Sequence, residues 1–89
     1  MYTLSGVGPI LIRMAIDLSE KKLLKEVGAK IRAIRMAKGW TLEEAEEHGW
    51  PSWRHLQLIE SGKKNIALTT LIRLARVFKV KPTDLLKDL

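Results

Sequence analysis

Cysteine is absent from all 89 positions, which rules out disulfides and thiolate metal sites and makes a reducing cytoplasm the expected location. Imidazole is almost as scarce. His48 and His55 stand apart with no ligand set around them, so neither a metal nor a cofactor is expected. Long apolar runs are missing too. The most hydrophobic stretch, GVGPILIRMAIDL, is interrupted by Arg13 and falls short of the length a membrane-spanning helix needs. No basic segment precedes it and no small-residue cleavage site follows it, so it is not read as a signal peptide. There is no serine–histidine–acid set and no nucleotide-binding loop. His48 follows Glu47 directly, and consecutive residues on a helix do not face each other. No catalysis is expected.

What the chain does have is positive charge, a formal +6. A small basic domain points to a polyanionic partner, although composition alone does not separate nucleic acid from a membrane surface. The length suits one domain with a modest core.

Helical spacing predominates, and five helices can be read. Ser19 suits the cap of a first helix over residues 20–37, with Leu23, Leu24, Val27, Ile31, Ile34 and Met36 forming one apolar stripe and Gly39 as the stop. Thr41 and Glu44 fit a capping box that opens a short second helix ending near His48 and Gly49. Pro51 breaks the chain after Trp50, and Ser52 suits the cap of a third helix from Trp53 to Ser61, stopped by Gly62. A polar loop of Lys63, Lys64 and Asn65 leads to a fourth helix over residues 68–78, expected to bury Leu68, Leu71, Ile72, Ala75 and Phe78. Pro82 suits the first position of a fifth, closing helix through Leu85 and Leu86. Residues 1–18 read as an N-terminal extension and residues 19–89 as the compact unit.

Two short helices separated by a tight break outline a helix-turn-helix. The order of residues around them is more specific. RMAKGWT over residues 35–41, LIESG over 58–62, KNIALTTLIRLA over 64–75 and FKVKPTDLL over 78–86 together resemble the Cro/cI-type, XRE-like helix-turn-helix family. The likeness covers about three-quarters of the chain without an internal gap, and the KNIALTTL segment is similar to small restriction-modification controller proteins.

The resemblance implies an all-α, five-helix, lambda-repressor-like domain acting as a sequence-specific transcriptional regulator in the cytoplasm, associated with the nucleoid. Its third helix would enter the major groove of double-stranded DNA, and the protein would bind as a homodimer on a palindromic operator. The family also pairs an arginine of the first helix with a glutamate ending the third, positions that Arg35 and Glu60 occupy.

A helical wheel turns Leu56 and Ile59 of the third helix inward and Arg54, Gln57, Leu58 and Ser61 outward, with Trp53 and His55 on the flanks. Arg54 can fork onto guanine and Gln57 onto adenine, and Leu58 can touch a thymine methyl. Trp53 and His55 complete the candidate base-reading set. The alternatives are a solvated surface arginine for Arg54 and flank packing for His55. Phosphate contacts are assigned to Ser52, Ser61, Lys63, Lys64, Asn65, Thr69, Thr70 and Arg73, against the alternative that the lysines serve solubility.

Several positions depart from the family pattern. Leu42 stands where a phosphate-contacting glutamine is usual, Ala67 where a serine or threonine often caps the fourth helix, and Trp50 in place of the turn glycine, whose turn it would cover. Ala45–Glu46 replaces Leu–Ala, which is expected to weaken packing between the two short helices, and Glu43 to Glu47 make the second helix acidic. A second reading keeps the fold and changes the partner. In it the chain is an antitoxin-type module that binds a protein such as a toxin through Val7–Ile16 and represses its own operon. Dimerisation, or packing on its own core, is the simpler use of that arm.

Overall fold

The computed structural model describes the backbone of residues 9–87 and the side chains of residues 20–87. Among the described residues, four α-helices, α1 (Pro9–Ala37), α2 (Leu42–Glu47), α3 (Trp53–Glu60) and α4 (Leu68–Phe78), are followed by a single 3-10 turn, Pro82–Leu85. The all-helical class matches expectation. The fifth element, however, is one 3-10 turn rather than an α-helix. Its four residues begin at Pro82, as expected, and close on Asp84, whose carboxylate accepts from the Lys81 amide at 3.0 Å.

The start of α1 departs from expectation. Ser19 does not cap a helix at Glu20, because the helix runs through it from Pro9. The physical reason is local. Proline suits the first helical position, and between Pro9 and Ala37 no second proline and only one glycine, Gly28, interrupts good helix formers. The helix thus crosses the expected boundary between residues 1–18 and the rest. Residues 1–8, and the side chains of the Val7–Ile16 arm, lie outside the described residues.

The core is built from Val27 and Ile31 of α1, Leu56 and Ile59 of α3, Leu71, Leu74, Ala75 and Phe78 of α4, and Ala45, Trp50 and Leu85 between them. α3 lies against α1 and α2, while the closing turn packs on α4 and α1. Not every expected apolar residue is covered. Leu23, Met36, Leu68 and Ile72 are exposed, Leu68 to 71%. Leu68 is the first residue of α4 and lies beyond the core edge, and Ile72 sits about 100° around the helix from buried Leu71.

One close approach sets how α1 meets α3. A Cβ on Gly28 would fall 2.4 Å from the Ile59 carbonyl oxygen and 2.6 Å from that of Glu60. Only glycine lets the backbone at the end of α3 come this near.

Candidate nucleic-acid interface

α3 is held at both ends and along its inner face. Ser52 Oγ accepts from the His55 amide at 3.3 Å, the N-cap expected from the sequence. A second cap comes from the neighbouring helix: Glu46 Oε2 accepts from the Trp53 amide at 2.8 Å. The expected weak joint between α2 and α3 is therefore replaced by a charge-assisted hydrogen bond to a first-turn amide, aligned with the helix dipole. Buried Ala45 leaves room for the two helices to pack. α2 itself opens on the reciprocal capping box, with Thr41 Oγ1 accepting from Glu44 at 3.1 Å and Glu44 Oε1 accepting from Thr41 at 3.3 Å.

Trp50 does not cover the turn. Gly49 takes the positive φ, +117°, so Trp50 adopts ordinary backbone geometry and its indole enters the core at 3% exposure. There it stacks parallel on His55, ring centroids 5.7 Å apart. Its Nε1–H has no acceptor among the described residues.

At the other end of α3, Glu60 binds Arg35 of α1 through two parallel hydrogen bonds, Nε to Oε2 at 2.7 Å and Nη2 to Oε1 at 2.9 Å. Arg35 also donates to the Trp40 carbonyl at 2.7 Å. The two side chains are only 11% and 6% exposed. The hydrogen bond to Glu60 raises the arginine's pKa above its usual value; burial opposes this, and the charges of Glu60 and Glu43 add to it. The pair locks the C-terminal end of α3 to α1.

The outer face of α3 is what remains free. Arg54, Gln57, Leu58 and Ser61 are exposed, while Trp53 and His55 are half-buried. The Arg54 guanidinium lies over the Trp53 ring, 5.4 Å from its centroid, which restrains both side chains. His55 is a packing residue on its Trp50 side. His48 stacks on a different tryptophan, Trp40, at 4.0 Å, so the two histidines are not brought together.

Of the candidate phosphate residues, Lys63, Lys64, Asn65, Thr69 and Arg73 are exposed, and Ser52 and Thr70 are half-buried. Ser52 Oγ accepts the capping bond and keeps its proton to donate. Ser61 Oγ already donates to the Leu58 carbonyl at 3.0 Å, so a phosphate would have to displace that bond. α4 follows Ala67, which offers no side-chain cap, leaving its first amides open beside the basic loop. From Ser61 to the C-terminus seven basic residues stand against two aspartates.

Arg32 was not among the sequence candidates. Exposed on α1, it lines a groove of about 290 Å³ together with Gln57 of α3, Ser61 just after it and Leu42 of α2. The available signal was its spacing, one helical turn before Arg35. The acids of α2 oppose this positive surface only in part: Glu44 and Glu46 are engaged in caps, and Glu43 and Glu47 are exposed.

Residues 31–85 match a family described as helix-turn-helix. Among solved structures, the chain is similar to the crystal structure of the DNA-binding domain of BldD. The two share 30% sequence identity with a TM-score of 0.69, over 73% of this chain and 94% of that one. A comparison with curated proteins gives no match. The matched span runs from Ile31 of α1 through the closing turn and includes every candidate contact residue.

Proposed function

The chain belongs to the Cro/cI-type helix-turn-helix family of DNA-binding transcriptional regulators, and from that premise we propose that it reads a specific duplex sequence with α3 in the major groove, as a homodimer on a two-fold symmetric operator. The observation that carries this reading is the outer face of α3. The helix is capped twice at its start, ion-paired at its end and anchored inward by Leu56 and Ile59. Its free side chains are Arg54, Gln57 and Leu58, which can address guanine, adenine and a thymine methyl. Trp53 holds the Arg54 guanidinium and flanks the same groove, while His55 sits at its margin.

Lys63, Lys64, Asn65, Thr69, Thr70 and Arg73, with the open amides of α4 and the hydroxyls of Ser52 and Ser61, hold the phosphates that flank the groove. Arg32 stands beside Leu42, where the family's glutamine is missing, and supplies the phosphate contact on that side. Residues 1–18 form a dimerisation extension of the DNA-binding unit over 19–89.

Selection from random duplexes, followed by sizing of the complex, tests the reading. A two-fold symmetric sequence carrying two chains is expected. Arg54→Ala with Gln57→Ala erases sequence preference. Lys63→Ala with Lys64→Ala weakens all duplexes alike and lowers the salt slope by about 0.9 for each phosphate no longer neutralised. Binding unchanged by all four substitutions would refute this placement of the interface.

A further inference from the structure

α1 carries a line of cations of which the DNA-facing set uses only one. Lys21, Lys25 and Arg32 recur at spacings of four and seven, which places them within about 40° of one another around the helix. Gly28 belongs to the same line and is the point where α1 touches the Ile59 and Glu60 carbonyls.

Two contacts fix where this line runs. Arg32 lines the groove shared with Gln57 and Ser61, at the edge of the reading face. Toward the N-terminus, a Cβ on Gly62 would fall 2.7 Å from Lys25 Cγ and 2.9 Å from Lys25 Cα. Gly62 holds a positive φ of +74° and is followed directly by Lys63 and Lys64. Lys25 therefore stands against the basic loop that flanks the reading helix. Lys21 lies one turn further along, about 6 Å, and both lysines are exposed.

The described acids nearest Lys25 point elsewhere. Glu60 is bound to Arg35 at 2.7 and 2.9 Å. Glu26 pairs with Lys22 at 4.0 Å. Glu26 and Glu20 lie about 100° and 140° around α1 from Lys25. Lys25, Lys63 and Lys64 thus gather positive charge around a single glycine. Like charges held together weaken the fold of the free protein, and a polyanion drawn against them offsets that cost. A duplex seated on α3 is such a polyanion, with one charge per about 1.7 Å of its axis.

We propose that Lys25 and Lys21 bind the sugar–phosphate backbone of the duplex that α3 reads, forming with Arg32 a ridge along α1 that carries the phosphate contacts of Lys63 and Lys64 outward from the half-site. Both lysines stand before residues 31–85, so they add to the contacts that the family match covers. A lysine ammonium takes a phosphate as a point charge, and phosphate contacts carry no sequence information directly. The ridge adds affinity without adding sequence preference. The inference rests on the DNA-binding reading above and extends its contact surface.

The test uses the full chain and the duplex returned by selection, lengthened by about ten base pairs, one helical turn, on each side. Log affinity is measured against log salt. Lys21→Gln with Lys25→Gln keeps the side-chain stems against Gly62 and removes both charges. It is expected to lower the slope by about 1.8, at about 0.9 for each phosphate released, and to leave the selected sequence and Tm unchanged. Lys30→Ala is the control. Lys30 lies about 140° around α1 from Lys25 and donates to the Lys87 carbonyl at 2.7 Å, so its loss should not move the slope. Hydroxyl-radical cleavage should show sugars just outside the half-site protected by the wild type and reopened in the double variant. An unchanged slope in a double variant that still binds overturns the inference and leaves the DNA reading standing. So does a lowered slope accompanied by lost sequence preference, which would move the lysines to the bases. A wild-type chain that binds no duplex refutes the DNA reading, and the ridge with it.

Discussion

Replacing Gly28 by alanine sets two effects of opposite sign against each other, and the structure decides between them. In an isolated helix the change would gain up to about 1 kcal/mol, because glycine is a poor helix former. Here the new Cβ would stand 2.4 Å from the Ile59 carbonyl oxygen, whereas ordinary contact begins at 3.4 Å, so α1 and α3 must separate by 1.0 Å. The obstacles are backbone atoms of Ile59 and Glu60, which cannot rotate away. Overpacking of this kind costs about 1–3 kcal/mol. The separation also stretches the Arg35–Glu60 hydrogen bonds, now 2.7 and 2.9 Å, past useful length. The net expectation is a loss of about 2–4 kcal/mol, lowering Tm by roughly 8 °C or more in a domain this small. Thermal and urea unfolding followed by far-UV circular dichroism measure it. Ala29→Gly is the control. It is exposed on the same helix, and should cost only about 1 kcal/mol from propensity. If Gly28→Ala raised Tm, propensity would have won and the close apposition of α1 and α3 would be wrong.

Arg35→Ala leaves the Glu60 carboxylate buried without its partner and should cost about 3–5 kcal/mol, while the double change Arg35→Leu with Glu60→Leu should recover much of that; urea midpoints for the three proteins check the comparison. Because the arginine's pKa is raised above an already high value, the cationic half of the pair loses its contribution only as pH climbs past that range. Titration between neutral and moderately alkaline pH should show no unfolding step from Arg35. Glu46→Ala removes the second cap of α3 and should lower stability by about 1 kcal/mol. Glu46→Gln, which keeps an acceptor, should lose less, as thermal melts will show. Arg32→Ala should weaken binding to every duplex alike and reduce the salt slope by about 0.9 if the arginine neutralises one phosphate, which titrations at several salt concentrations measure.

Local rules account for what was legible in the sequence. The capping box of Thr41 and Glu44, the Ser52 cap, Pro82 at the start of the last element and the helix stops at Gly39 and Gly62 each depend on residues within a few positions of one another. The inward face of α3 followed from helical period alone, since Leu56 and Ile59 are three apart. The outward set of Arg54, Gln57 and Leu58 followed as its complement, and the order of motifs identified the family before any geometry was known.

Packing between elements is where the sequence misled, because spacing along the chain does not measure distance in space. Ser19 looked like a cap only while nothing was known to precede it in the helix. Glu46 read as an acidic liability until α2 placed its carboxylate on the first amide of α3. Trp50 read as a turn residue until Gly49 took the positive φ and freed the indole to enter the core. Leu68 has the composition of a core residue but starts its helix beyond the core edge. The sequence by itself determined the class of fold, the helix that faces outward and the residues it presents, because these rest on period and short-range hydrogen bonding. Only the tertiary structure decided how closely α1 approaches α3, what seals the joint between α2 and α3, and which apolar residues stand exposed, because each depends on the packing of segments far apart in the chain.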